Sequence, residues 1–173
     1  MWFTGLSGAG KTTVANVVEA ELEQRGHVVD HLDGDIVRTH LSKGLGFSKE
    51  DRDENIQRIG WVASRLARAG AAVIVSAISP YEAARRRVRE LVETHAPFIE
   101  VYVATPLEEC ARRDAKGLYA AAFAGEISDF TGVSAPYEEP EDPEVRIDTT
   151  GVSPSESARV VLDRLDRLAV THA

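Results

Sequence analysis

"MWFTGLSGAGKTT", residues 1–13, contains the octet Gly5-Leu6-Ser7-Gly8-Ala9-Gly10-Lys11-Thr12. The octet fits G-x-x-x-x-G-K-[ST] in full, the pattern of a loop whose backbone N–H groups cradle phosphate oxygens. The flanks agree with it. Trp2-Phe3-Thr4 is apolar and β-prone, as a buried strand is, and Thr12 to Arg25 carries Val14, Val17, Val18 and Leu22 on one helical face. Strand, glycine loop and helix thus stand in the order the motif needs. In that arrangement Gly5 through Thr13 wrap the phosphates, Lys11 reaches the β- and γ-phosphates, and Thr12 ligates Mg²⁺. The expected ligand is a nucleoside triphosphate such as ATP. The loop alone does not separate a kinase from a switch or an ATPase.

The bulk properties narrow the setting. A chain of 173 residues suits one domain with a real core, and 43% hydrophobic with 28% charged residues is ordinary for a globular protein. The net charge of -8 argues against a nucleic-acid partner, so phosphate binding must rely on local basic residues. One cysteine, Cys110, leaves no internal disulfide and no cysteine-based zinc cluster. No apolar run approaches a membrane span, and no basic, apolar leader precedes the loop. The expected location is the cytoplasm, without a membrane partner.

Helix and strand patterns alternate along the chain. Val28 to Leu32 reads as a strand ending at Asp33-Gly34-Asp35, and Ser48 with Asp51 reads as a capping-box start for a helix to about Ala69. Ala71 to Ala77 is a continuous apolar run, hence a central strand. A helix is expected from Pro80 to about Thr94, a strand over 98–103, a helix from Pro106, a last strand over 145–148, and a closing helix capped by Ser153. The stretch 115–143 holds three glycines and three prolines around one helical patch and is expected to be a mobile lid. The sum is an α/β domain spanning 1–173, a doubly wound parallel sheet of about five strands with helices on both faces. Ligands of such sheets sit beyond the C-terminal strand ends. That rule gathers the glycine loop, "DGD" at 33–35 and "SAISPY" at 76–81 into one cleft.

Within that cleft, Asp33 suits the Mg²⁺ shell or Lys11, and Asp35 suits the acceptance of a proton from an attacking hydroxyl. The same residues could serve as an acidic turn or as the N-cap of the helix holding Val37. Arg52, Asn55 and Arg58 lie along one helix side and could grip an anionic, planar ligand, or could simply form surface salt bridges. Phe47 fits either a base-stacking platform or the core.

The full set of motifs resembles the adenylyl-sulfate kinase family. It runs in order through "GLSGAGKTT", "LDGD-VR", "GLGFS-EDR-ENI-RIG", "AISPY", "FIEVYV-TPLE-C--RD-KGLY--A-AGEI--FTG" and "PYE-P--PEV", across nearly the whole chain. The resemblance implies a P-loop kinase that phosphorylates the ribose 3′-hydroxyl of adenosine 5′-phosphosulfate with MgATP. By its pattern Asp35 and Arg38 contact the substrate, Phe47 and Phe130 sandwich its adenine, Arg52 and Asn55 reach phosphosulfate and sugar, and Ile78, Ser79 and the lid's Lys116 complete the acceptor site. Ser79 also stands where the family's phosphoserine is placed, although a serine before proline equally suits a helix cap and backbone ligand. Lys11, Asp35 and Ser79 are thus the catalytic candidates, with Thr12 and Asp33 at the metal. Ile36 departs from a common Asn, Ala115 from a Pro or Val, and Ala135 from an Asp or Ser. The pattern around Ile36 looks more like kinase domains fused behind a sulfate adenylyltransferase, and a homodimer is implied. Another small-metabolite P-loop kinase would need no pair of stacking aromatics. A GTPase switch would carry N-K-x-D, which is missing, and an inactive domain would have lost Lys11 or Asp35.

Overall fold

The computed structural model describes residues 1–114 and 116–171. Ala115, the first residue of the expected lid and one of the three departures from the family pattern, lies outside the described residues. Five strands form one sheet in the order β2-β3-β1-β4-β5. They are β1 (Trp2–Thr4), β2 (Val29–Asp33), β3 (Ala72–Ser76), β4 (Glu100–Val103) and β5 (Val145–Ile147). Every pairing is parallel, with Trp2 opposite both Val75 and Glu100. All strands therefore end at one edge, and the loops that leave that edge form the cleft.

Alternation along the strands feeds two cores. Phe3, Ile74 and Val101 turn to one face, beneath α1 (Lys11–Gln24) and α7 (Pro154–Thr171), while Trp2, Val73 and Val75 turn to the other, beneath α3 (Lys49–Arg68) and α4 (Glu82–Glu93). The α1 face expected from sequence is the buried one: Val14, Val18 and Leu22 are inside, with Val17 at its margin. Fully burying side chains of this size contributes about 1.5–3 kcal/mol each. Where α3 crosses α4, Gly60 permits the approach, since a Cβ there would stand 2.5 Å from Val88 Cγ2.

Helix starts show where local reading held and where it did not. Ser48 caps α3 by accepting from the Asp51 amide at 3.1 Å, but the Asp51 carboxylate turns to the Gly46 amide instead of closing the box. Ser153 and Glu156 form the reciprocal box at α7. "DGD" is not a turn: Asp33 caps a short helix, α2 (Gly34–His40), through its Oδ1. The strand expected from Phe98 begins two residues later, at Glu100. Helix α4 begins at Glu82, not Pro80, and its free amide is capped by the Glu138 carboxylate at 2.7 Å, from 56 residues downstream. After α5 (Leu107–Arg113), Asp114 accepts from the amides of Tyr119 and Ala120 and so starts α6 (Leu118–Phe123) inside the expected lid.

Candidate active site

The glycine loop leaves β1 in a conformation only glycine tolerates. Gly5 has φ +146° and its would-be Cβ falls 2.5 Å from the Val103 carbonyl oxygen; Gly10, at φ +100°, lies against Thr149. Gly10 also stands at the N-cap of α1, where no side chain accepts from the first-turn amides. Those N–H groups and the helix dipole are an open receptor for anionic oxygens. Lys11, the first residue of α1, lays its ammonium over the loop and donates to the Gly5 and Leu6 carbonyls at 3.0 and 2.7 Å. Burial lowers its pKa to about 8, while Asp35 and Asp33 act in the opposite sense.

Asp33 divides its two oxygens. Oδ1 caps α2, and Oδ2 accepts from the Thr12 hydroxyl at 2.7 Å. This places a hydroxyl and a carboxylate side by side at the start of α1, next to the open amides. Both are hard oxygen donors, and they fit a Mg²⁺ that keeps several waters and borrows phosphate oxygens. Two residues on, Asp35 is three-quarters exposed and pairs with the Lys116 ammonium, so β2's end and the expected lid meet here. The contact raises the pKa of Lys116, chiefly through the hydrogen bond its ammonium donates to the Asp35 carboxylate.

Beside the carboxylates, Arg38 of α2 lies 4.5 Å from the centre of the exposed Phe47 ring, with Arg52 5.8 Å from the same ring. Burial lowers the Arg38 pKa, and the Arg52 charge adds to that. Arg52 is buried and already engaged. Its Nε donates to the Phe47 carbonyl at 2.7 Å, and its two terminal nitrogens donate to the Asp129 carbonyl and the Thr131 hydroxyl. The guanidinium thereby fastens both sides of Phe130 to the backbone of Phe47, a tethering task that spacing along one helix could not show. The Phe130 and Tyr119 rings stand nearly perpendicular, their centres 5.0 Å apart. Asn55 is buried with no hydrogen-bond partner for its Oδ1 among the described residues. Arg58, by contrast, pairs with Glu54 and the Leu41 carbonyl on the surface.

Ile78 and Ser79 follow β3 directly behind the glycine loop. The Ile78 carbonyl accepts from the Thr4 hydroxyl at 2.7 Å and from the Gly5 amide at 3.4 Å. Ser79 corrects two readings. Its side chain is 1% exposed and its hydroxyl accepts from the Trp2 indole at 3.0 Å, within the core below the cleft. It is neither presented to a phosphate nor a helix cap; Tyr81 holds the N-cap position of α4. Its φ of +49° is uncommon for a non-glycine residue and costs of order 1–3 kcal/mol, borne by the contacts around it.

The sequence reading missed several groups. Arg113 donates to the Gly8 carbonyl and to both oxygens of Thr149, while Thr105 and Thr149 share the Ala9 carbonyl. They hold the loop at the Gly8 and Ala9 carbonyls. The position of Thr149 just past β5, at the ligand edge of the sheet, was the available signal. Tyr119 donates to the Ser7 carbonyl at 2.8 Å, so the expected lid is fastened to the loop itself.

A parallel sheet in this strand order, with the glycine loop after β1 and the last carboxylate of β2 touching the loop threonine, defines a P-loop kinase fold. The adenylylsulphate kinase family pattern matches residues 1–148. The adenylyl-sulfate kinase of Picosynechococcus sp. is 54% identical over 97% of this chain and 93% of its own length. A probable bifunctional SAT/APS kinase of Sorangium cellulosum is also 54% identical, this chain spanning 28% of that longer protein. Among solved structures, the Mycobacterium tuberculosis APS kinase CysC in complex with AMPPNP and APS superimposes with a TM-score of 0.92, at 46% identity and 95% coverage of both chains. The chain belongs to the adenylyl-sulfate kinase family.

Proposed function

We propose that this cleft transfers the γ-phosphoryl group of MgATP to the ribose 3′-hydroxyl of adenosine 5′-phosphosulfate, giving 3′-phosphoadenosine 5′-phosphosulfate and ADP for sulfate activation. The observation that carries the reading is the likeness in fold and sequence to the M. tuberculosis enzyme with AMPPNP and APS, over nearly the whole of both chains. The glycine loop and Lys11 bind the triphosphate. Thr12 and Asp33 would hold Mg²⁺, which neutralises phosphate charge when bound. Asp35 accepts the proton of the attacking hydroxyl, Arg38 and Lys116 face the anionic part of the acceptor, Asn55 accepts from its sugar, and Phe47 and Phe130 stack on its adenine. The chemistry is direct in-line transfer; buried Ser79 carries no phosphoryl group and serves through its backbone.

The same reading takes 1–173 as one kinase domain with 115–143 as its lid. Here the 115–143 segment is fastened at Ser7, Asp35 and the Phe47 carbonyl by way of Tyr119, Lys116 and Arg52. Acceptor entry would replace the Lys116–Asp35 pair, since both groups are needed for the acceptor. A homodimer, association with a sulfate adenylyltransferase as in the bifunctional relative, and a cytoplasmic setting belong to the proposal; no described helix is long and apolar enough to cross a membrane. The test is coupled ADP release with adenosine 5′-phosphosulfate against gluconate, shikimate and adenosine 5′-monophosphate. Turnover confined to adenosine 5′-phosphosulfate supports the reading, and a preference for another acceptor refutes it.

A further inference from the structure

Arg85 sits on the first turn of α4 with its side chain 2% exposed. A guanidinium so deeply buried must find partners for its donors. Its partners come from three separate parts of the chain. Nη1 donates to the Ser79 carbonyl at 2.7 Å and Nη2 donates to the Glu138 carbonyl at 2.8 Å, while Nε stands 2.8 Å from Glu100 Oε1 of β4 as an ion pair outside hydrogen-bonding geometry. The Tyr137 ring centre lies 5.9 Å from its Cζ. Ser79 belongs to the cleft segment that follows β3, and Tyr137 and Glu138 form the returning stem of the lid.

These two segments meet at more than one point, and Arg85 lies at the centre of the set. The Glu138 amide donates to the Pro80 carbonyl at 2.8 Å, and the Glu138 carboxylate caps α4 at Glu82. The Tyr137 hydroxyl is 2.8 Å from the Thr4 hydroxyl, which in turn holds the Ile78 carbonyl. Ser79 has a left-handed backbone that persists only where neighbours over-determine it, and Arg85 holds its carbonyl while Trp2 holds its hydroxyl. Glu100 balances the charge of Arg85 and also faces Arg89, which is paired in turn with Glu144. The loop functions of Lys11 and Thr12 use none of these partners.

We infer that Arg85 is a positioning residue for the acceptor half of the site: it fixes the Ile78–Ser79 segment and the lid stem at Tyr137–Glu138 to one another and touches neither nucleotide. The inference rests on the proposed acceptor reading for its kinetic consequence, and on the hydrogen bonds alone for its structural one. A lysine at this position keeps the charge for Glu100 but lacks the planar fork that spans two carbonyls.

The test is Arg85→Lys, assayed for the two KM values separately and for limited proteolysis of the ligand-free protein. The KM for adenosine 5′-phosphosulfate rises about tenfold or more, the KM for ATP stays within about twofold, and cleavage within 116–143 accelerates. A purely structural arginine would lower the melting temperature without splitting the two KM values, so equal changes in both, or no change in either, overturn the inference. Glu138→Ala alters an exposed side chain that binds the same stem to α4, and it gives the same split at about threefold. Should Arg85→Lys not fold, an unsplit Glu138→Ala overturns the inference by itself. Failure of the wild type to phosphorylate adenosine 5′-phosphosulfate refutes the proposed function instead. The proteolysis then decides on Arg85 alone, and equal cleavage rates overturn it.

Discussion

Raising the pH through the titration of Lys11 should weaken nucleotide binding while stabilising the free protein. Lys11 has its ammonium buried against the loop, and burial lowers its pKa from 10.5 to about 8. Below that value the group is charged and ready for a triphosphate, at the cost of an unfavourable buried charge in the free enzyme. Above it the charge is lost. If ATP requires protonated Lys11, the apparent dissociation constant grows as one plus ten to the power of pH minus pKa, which is about tenfold from about pH 7 to pH 9. The ligand is MgATP, whose bound metal keeps the terminal phosphate ionised across this window, so its own charge is constant. The stability term has the opposite sign. A lysine whose folded pKa is depressed destabilises the fold below that pKa, and the penalty is relieved as pH rises from about 8 towards 10.5. From about pH 7 to pH 9 the relief is about 1.4 kcal/mol. The assay is calorimetric titration of MgATP and chemical denaturation across this range, for the wild type and for Lys11→Met, which cannot titrate. The variant binds weakly at every pH, and the wild-type-minus-variant difference isolates the lysine. An ATP affinity that is flat across the window, or the same slope in Lys11→Met, would refute the assignment of Lys11 as a buried, phosphate-seeking cation.

Asp35→Asn should leave MgATP affinity within about twofold and lower the turnover number about 10²–10⁴-fold, because the amide keeps the shape but accepts no proton; turnover within about threefold of wild type would reduce Asp35 to a partner of Lys116. Phe47→Ala and Phe130→Ala should each weaken adenosine 5′-phosphosulfate by about 1–3 kcal/mol with little effect on ATP, and equal loss of both ligands in equilibrium titrations would return the rings to a packing role. Protease cleavage within 116–143 should be suppressed by ADP with adenosine 5′-phosphosulfate, and identical cleavage with and without ligands would leave this segment a rigid loop. Gly60→Ala should destabilise the fold by about 1–3 kcal/mol in urea denaturation, since its Cβ would stand 2.5 Å from Val88 Cγ2 at the α3–α4 crossing; a neutral result would show that the two helices can part freely.

The legible parts of this protein are those decided by neighbours in sequence. The glycine loop is local because its φ angles and its anion-binding amides belong to consecutive residues, and the motif implies the strand before it and the helix after it. The alternation of strand and helix patterns was enough for a parallel α/β sheet, because each helix returns the chain to the same edge. The caps at Ser48 and Ser153 were readable because donor and acceptor lie three residues apart. The family motifs supplied the proposed acceptor residues as a set of positions, without geometry.

What the sequence left open lies in contacts between residues remote along the chain. Lys116 meets Asp35 across 81 residues, and Arg52 meets Thr131 across 79. A pattern read along one helix could not tell whether Arg52 faces a ligand or ties down Phe130, since both use the same donors. Ser79 shows the limit most plainly. Between Ile78 and Pro80 its hydroxyl could face either way, and the indole of Trp2, 77 residues earlier, draws it into the core. The start of α4 was misplaced for the same reason, because the carboxylate that caps it comes from Glu138, 56 residues downstream, and not from any residue near Pro80. Local conformation follows from backbone sterics and hydrogen bonds within a few residues; which side a polar group faces is decided only when packed elements bring a distant partner to it.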